Sequence, residues 1–313
     1  MTSLLLVLVS LPCVYWSHGL ESRAKLEAAG IKRLCVAPEQ VDAWRAAGFS
    51  VSPVTETELA SREALPSPGI LARVGVASPT RSPWIVANGW RFMRHPAKKY
   101  LYDLPAGKAA LAAAEAFAYG ADAVLKIDPA DLADVGGMLT FLERLPVADL
   151  PIVADLAVVD DGSAITGEVM NLLARRNLLF QVVRAPSARF GINIVVGSRE
   201  YPVEEAADPS AFALKIRRQI TDERRTLRIY GSEVVICRLT GDATTVRLHL
   251  INYGGREIDG LRVRLRGAYG EGEVHVAGVE RRPLEDQVVA EGATEFSVPR
   301  IGTYAVIDLK AVR

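Results

Sequence analysis

The chain has 313 residues, half of them hydrophobic and 24% charged, with 37 basic and 37 acidic side chains and a formal net charge of zero. That composition supplies enough apolar surface for a large core and excludes a disordered chain. It also leaves no net positive field to gather phosphate backbones, and no segment interleaves Lys/Arg with aromatics, so nucleic acid is not an expected partner.

The amino terminus, MTSLLLVLVSLPCVYW, has the apolar run of a secretory signal but no basic leader and no small-x-small cleavage site. Residues 1–12 read as an export signal ending near Pro12, which implies a secreted or periplasmic protein; the alternative is a first buried strand in a cytoplasmic one. LLLVLVS is too short to cross a bilayer, so no integral membrane span is expected. Pro12 also makes LPC at 11–13 a poor lipoprotein box.

From Cys13 to about residue 225, short apolar runs alternate with amphipathic stretches, as in parallel βα units. CVYWSH reads as a strand, LESRAKLEAAG as a helix closed by Gly30, IKRLCVAP as a strand, EQVDAWRAAG as a helix again ended by glycine, and FSVSPV as a third strand. TETELASREAL is expected to be helical with Thr55 or Thr57 as its cap, ahead of the loop PSPGI. ARVGVASP and PWIVANGW are both strand candidates, and the polar RFMRHPAKKYLYDLP is expected as a loop on the functional rim. AGKAALAAAEAFAYG then predicts a helix, ADAVLKID a strand, PADLADVGGMLTFLERL a helix with a glycine pair inside, and LPIVADLAVVDD a strand. GEVMNLLARRN predicts a helix, LLFQVVRAP and INIVVGS strands, and DPSAFALKIRRQITDERR a helix capped by Asp208 or Ser210. Counted this way, residues 13–225 supply about eight strands, and the expected fold is α/β, a (β/α)8 TIM-like barrel. Residues 226–313 instead alternate polar and apolar positions between Gly/Asp/Asn turns, which predicts a small antiparallel β-sandwich.

Several chemistries lack their signatures. Gly107-Lys108 is not a phosphate-binding loop, because Tyr102 stands where its first glycine is needed and Ala109 replaces Ser/Thr. No GxGxxG follows a strand, no GxSxG occurs, and His18, His95, His249 and His275 lie outside metal-ligand spacing, so no cofactor or metal is expected. Cys13, Cys35 and Cys237 show no CxxC spacing; neither a zinc site nor a disulfide framework is expected, and Cys35 and Cys237 read as buried thiols.

Parallel α/β proteins build their sites at strand C-termini. The polar residues placed there are Ser17 and His18, Glu39, Asn88 and Trp90, Lys126 and Asp128, Asp160 and Asp161, and Arg184. Paired acids suit glycosidic chemistry, with Asp128 and Asp160 as the expected catalytic pair and Lys126, Asn88, Trp90, Arg184, Glu39 and His18 as expected substrate contacts. Each also has a structural reading. Asp128 can cap a turn, Lys126 can pair with Asp128 inside a barrel, Glu39 and Asp160 can be solvated helix-start acids, Trp90 can pack under the rim, and His18 can be an ordinary loop histidine. Tyr253 and Tyr304 are expected in the sandwich core and corner.

VYWSHG, PAGKAALAAAEAFAYGADAVLKID, LHLINYG and FSVPRIGTYAVIDL together resemble glycoside-hydrolase-like bacterial proteins in which a (β/α)8 barrel precedes a C-terminal β-sandwich. The resemblance implies a carbohydrate or other small polar ligand and glycan hydrolysis at the C-terminal face of the barrel. Two departures leave a non-catalytic glycan-binding or assembly protein as the alternative: WIVANGW puts Asn88 where retaining enzymes carry an acid, and FQVVRAP has no acid. A second resemblance covers 150–200. LPIVADLAVVDDGS, GEVMNLLARRNLLFQVVRAP and INIVVGS are similar to the flavodoxin-like, amidotransferase-type domain that some β-galactosidases carry for oligomerisation, which implies a homo-oligomer and a truncated barrel over 13–150.

Overall fold

A computed structural model describes residues 11–71, 84–279 and 281–312. Residues 1–10 of the expected export signal and the strand candidate ARVGVASP lie outside the described residues. The backbone divides into two units: residues up to Gly69 with His95–Asp149, and Ile70–Arg94 with Leu150–Arg313. The first strands in chain order are β1 (Cys13–Tyr15), β2 (Arg33–Val36), β3 (Ser50–Pro53), β4 (Glu63–Leu65), β5 (Gly69–Leu71), β6 (Trp84–Val86), β7 (Lys99–Asp103) and β8 (Asp122–Lys126).

In the first unit β3, β2, β1, β8, β7 and β4 form one parallel sheet in that order. The strands therefore follow the cyclic order of a barrel opened at a single seam, between β3 and β4. Among the described residues no ladder closes that seam, which corrects the expected closed barrel. Pro53 ends β3 without an N–H, so the β3 edge lacks a donor there. Alternation sorts the faces. Val14, Leu34, Val36, Tyr100, Tyr102, Ala123 and Leu125 are buried on one, while Cys13, Tyr15, Cys35, Leu101 and Val124 meet Val54 and Leu59 on the other.

Two local expectations change. KKYLYDLP is not a rim loop: Lys99–Asp103 is an internal strand whose Tyr100 and Tyr102 are fully buried, its period-two pattern masked in the sequence by charged ends. The C-terminal part of TETELASREAL leaves the helix and becomes β4. The glycine pair in the helix Leu132–Arg144 has a packing cause, because a Cβ at Gly136 would lie 1.8 Å from the Ala29 carbonyl oxygen.

The second unit contains β9 (Leu156–Val159), β10 (Phe180–Val183) and β11 (Asn193–Ile194), a parallel sheet in the order β10-β9-β11. Trp90, Val169, Leu173, Phe212 and Ile216, from the helices Gly89–Arg94, Ala164–Arg175 and Pro209–Ile220, pack with it in one core. The chain then forms β12 (Leu227–Tyr230), β13 (Val235–Gly241), β14 (Thr245–Asn252), β15 (Ile258–Arg266), β16 (Tyr269–Val276), β17 (Arg282–Pro283), β18 (Glu285–Ala290), β19 (Ala293–Ile301) and β20 (Tyr304–Ala311). They make antiparallel sheets β12-β15-β19-β18 and β13-β14-β20-β16-β17 around a shared apolar core. Tyr253 and Tyr304 are buried as expected, and the Tyr304 hydroxyl lies 2.6 Å from His249 Nδ1.

Candidate functional site

At the C-terminal edge of the six-stranded sheet, three successive βα turns surround a cleft of ≈ 340 Å³. Tyr15 and Ser17 come from the end of β1, Glu39 and Gln40 from the turn after β2, and Thr55 and Glu56 from the turn after β3. Local chemistry sets the turns. Pro38 opens the 3-10 turn holding Glu39, and the Thr55 hydroxyl accepts from the Glu58 N–H at 3.0 Å, capping the helix that begins with Glu56. Helix dipoles favour both acids there. Among the described residues neither Glu39 nor Glu56 has an ion-pair partner, both are exposed, and the buried Oε1 of Gln40 accepts no hydrogen bond.

Lys126 continues the same edge. Register places it between Tyr15 and Asp103, and its Nζ lies 5.7 Å from the Tyr15 ring centroid. Asp128 caps the next turn, its Oδ1 accepting from the Ala130 N–H at 2.8 Å, and no ion pair joins it to Lys126 among the described residues. His18 is exposed with its ring 4.9 Å from that of Trp16. Glu56, Tyr15 and Asp103 escaped the sequence reading, although Glu56 repeats the strand-turn-acid pattern that marked Glu39.

Beneath this edge Cys13 and Cys35 form a disulfide, with Cα atoms 5.8 Å apart. This corrects the expected buried thiol at Cys35. The partners are 22 residues apart and no spacing motif links them; only the parallel pairing of β1 with β2 brings them together. The Gly107-Lys108 pair also resolves. Asp131 accepts N–H bonds from Gly107 at 2.6 Å and from Lys108 and Ala109 at 3.1 Å, so a protein carboxylate fills the N-terminus of the helix Ala109–Tyr119.

The other expected residues belong to the second unit. After β9, Asp160 is held by Arg94 through two bonds of 2.7 and 3.1 Å, while Arg94 also donates to the Ser163 carbonyl at 2.9 Å. Asp161 accepts from the Ser163 N–H at 2.9 Å. Burial pushes the Asp161 carboxyl up, but its bonds from Ser163 and Thr166 outweigh that and hold it below the usual carboxylate range. Asn88 and Trp90 are buried, the ring of Trp90 in the core and under the Arg91 guanidinium at 4.3 Å. Arg184 is exposed just past β10. Asp128 and Asp160 are thus divided between the units, each with a local structural partner. Among the described residues no three His, Cys, Asp or Glu side chains are grouped to hold a metal ion, and no helix is long and apolar enough to cross a membrane.

No protein-family model and no curated protein sequence matches the chain. Among solved structures it is similar to an α-L-fucosidase isoenzyme 2 from Paenibacillus thiaminolyticus, with a TM-score of 0.57 at 8% identity over 94% of this chain and 80% of that one. A cold-adapted β-galactosidase from Rahnella sp. R3 aligns with a TM-score of 0.41 at 11% identity, over 89% of this chain and 63% of that one. A GH42 β-galactosidase from G. stearothermophilus gives 0.37 at 8%, over 80% and 53%. The chain thus spans less than two thirds of either β-galactosidase. The first of these likenesses shows a fold shared with that α-L-fucosidase.

Proposed function

We propose that this is a carbohydrate-active protein whose glycan site is the cleft at the ends of β1, β2 and β3, with Glu39 and Glu56 as its acids. The observation that carries the reading is the cleft's lining: two exposed carboxylates without ion-pair partners among the described residues, two hydroxyls and the Tyr15 ring, all on the edge where parallel sheets place their chemistry. Hydroxyl-rich ligands need such acceptors, and an aromatic face suits a pyranose ring. Glycosidases separate their acids by about 5–10 Å, and a cleft of ≈ 340 Å³ has a linear dimension of that order. The fold likeness to an α-L-fucosidase supports a glycan by analogy. Lys126, His18 and Asp128 flank the cleft as further contacts, while Asp160, Asn88, Trp90 and Arg184 support or line the second unit's edge.

On this reading the parallel sheet of the first unit descends from a (β/α)8-like barrel, and the sandwich over 226–313 follows later in the chain. The disulfide supports an exported protein, since such bonds persist in oxidising compartments. A non-catalytic glycan-binding protein is the second reading, favoured by the ion pair that engages Asp160. A chromogenic-glycoside screen with Glu39→Gln and Glu56→Gln separates them. Turnover lost in both variants supports hydrolysis at the cleft; glycan retention without turnover supports the second reading; turnover untouched by either substitution overturns the site.

A further inference from the structure

We propose that the outer face of the sheet β12-β15-β19-β18 docks an acidic polysaccharide, a polymer whose sugars carry carboxylate or sulfate groups. The sequence pattern places the residues. Leu227, Leu261, Val263, Leu265, Phe296 and Val298 point into the sandwich core, so alternation turns Arg228, Tyr230, Arg262, Arg264 and Arg266 outward. Register then sets Arg228 opposite Arg264 and Tyr230 opposite Arg262, with Glu295 and Ser297 next in the two rows.

Facing like charges across a sheet is destabilising, and here the fold supplies few acceptors. Among the described residues Glu295 is ion-paired within the group, bridging Arg262 at 3.3 Å and Arg264 at 3.5 Å, and the charge of Arg228 acts on the Glu223 carboxylate without an ion pair between them. Arg266 spends one N–H on the Arg224 carbonyl at 3.1 Å. Arg228 has no ion pair among the described residues; its Nε and the Nη1 of Arg264 are buried without an acceptor. Of the sheet's other acids, Asp286 and Glu285 sit on the far strand, Asp286 accepting from the Ser297 hydroxyl at 3.1 Å and Glu285 opposite Ser297, while Asp259 stands at the start of β15 opposite Arg300, away from Arg262, Arg264 and Arg266. The β12–β15 half is therefore the cationic one.

Neighbouring strands are about 5 Å apart and same-face residues about 7 Å apart along a strand. The guanidiniums consequently form a grid, which fits anions repeated along a chain and not one compact ion. Arginine is also the side chain whose planar fork pairs bidentately with carboxylate or sulfate. Tyr230, 44% exposed and 5.8 Å from the Arg228 guanidinium, adds a face for a sugar ring. A membrane-binding face would pair its cations with apolar side chains able to insert; here the exposed aliphatic side chains, Val288 and Val289, lie on the far strand β18, and the arginines have only Tyr230 beside them. The choice of a glycan as the polymer rests on the proposed function; the surface itself does not involve the cleft.

The test is affinity electrophoresis of the full chain through gels containing polygalacturonate or neutral dextran, at low and high salt. Retention by polygalacturonate that salt weakens, with none by dextran, is expected. Arg228→Ser with Arg262→Ser lowers retention at least tenfold, Tyr230→Ala lowers it severalfold, and Arg228→Lys with Arg262→Lys retains most of it while controlling for folding. Glu39→Gln leaves retention unchanged. If glycoside turnover proves independent of Glu39 while retention still depends on Arg228 and Arg262, the cleft reading fails and this one stands. Equal retention of the serine variants and the unaltered chain overturns the proposal, as does co-sedimentation with phosphatidylglycerol vesicles in the absence of polygalacturonate retention.

Discussion

Two parallel sheets in this molecule end in acids, and the fold treats those acids oppositely. At the edge of β9, Asp160 gives both oxygens to Arg94 and Asp161 is tied to Ser163. At the edge of β1, β2 and β3, Glu39 and Glu56 face an open cleft with no cation paired to them among the described residues. Acids at helix starts are commonplace because the dipole favours them. What separates a site from a scaffold is whether the surrounding chain has already supplied the counter-charge, and a strand-end acid is informative only where it has not.

The sharpest way to break that comparison is Arg94→Ala. It removes the cation paired with Asp160, whose side chain is 17% exposed and keeps the Gly162 N–H at 3.0 Å, and breaking a largely buried ion pair from one side costs about 3 kcal/mol. Urea unfolding reads the loss; a change below about 1 kcal/mol would show that the second edge is not locked. Next, Cys13→Ser removes the crosslink beneath the open edge and is expected to cost about 3 kcal/mol, matched by reductant treatment of the unaltered chain. Equal midpoints with and without reductant would refute the disulfide's contribution.

A smaller effect is pH-dependent. Because the folded Asp161 carboxyl is held below its usual range, its contribution is complete above the unfolded carboxylate pKa and is lost as pH falls through the folded value. Acidification from pH 5 to pH 3 should therefore destabilise the unaltered protein more than Asp161→Asn, by thermal melts; parallel curves would contradict this. Least of all in stability is Glu39→Gln, expected within about 0.5 kcal/mol, yet it should abolish ligand binding or turnover at the cleft. Stability lost alongside function would move Glu39 into the scaffold class.

Much of this was legible beforehand. Alternation in VLKID placed Lys126 on the face shared with Val124, and the structure puts it beside Tyr15 on that face. The β-rich character of the C-terminal part was visible in its period-two alternation. What the sequence hid depended on partners far along the chain. Arg94 and Asp160 are 66 residues apart, so nothing local marked Asp160 as engaged. Lys99–Asp103 looked like a polar loop because its two buried tyrosines are flanked by charges. Glu56 lay in a segment read only for its helix, and its relation to Glu39 appears once β2 and β3 are known to be neighbours.

The third cysteine gives the crosslink a further meaning. Cys237 is buried in the sandwich core, and burial pushes its thiol well above the ordinary range, so it offers little thiolate to attack a disulfide. Three cysteines could in principle scramble during oxidative folding. Once the sandwich has closed over Cys237, a single pairing remains open to oxidants, and the crosslink next to the cleft can mature without an isomerase having to choose among rivals.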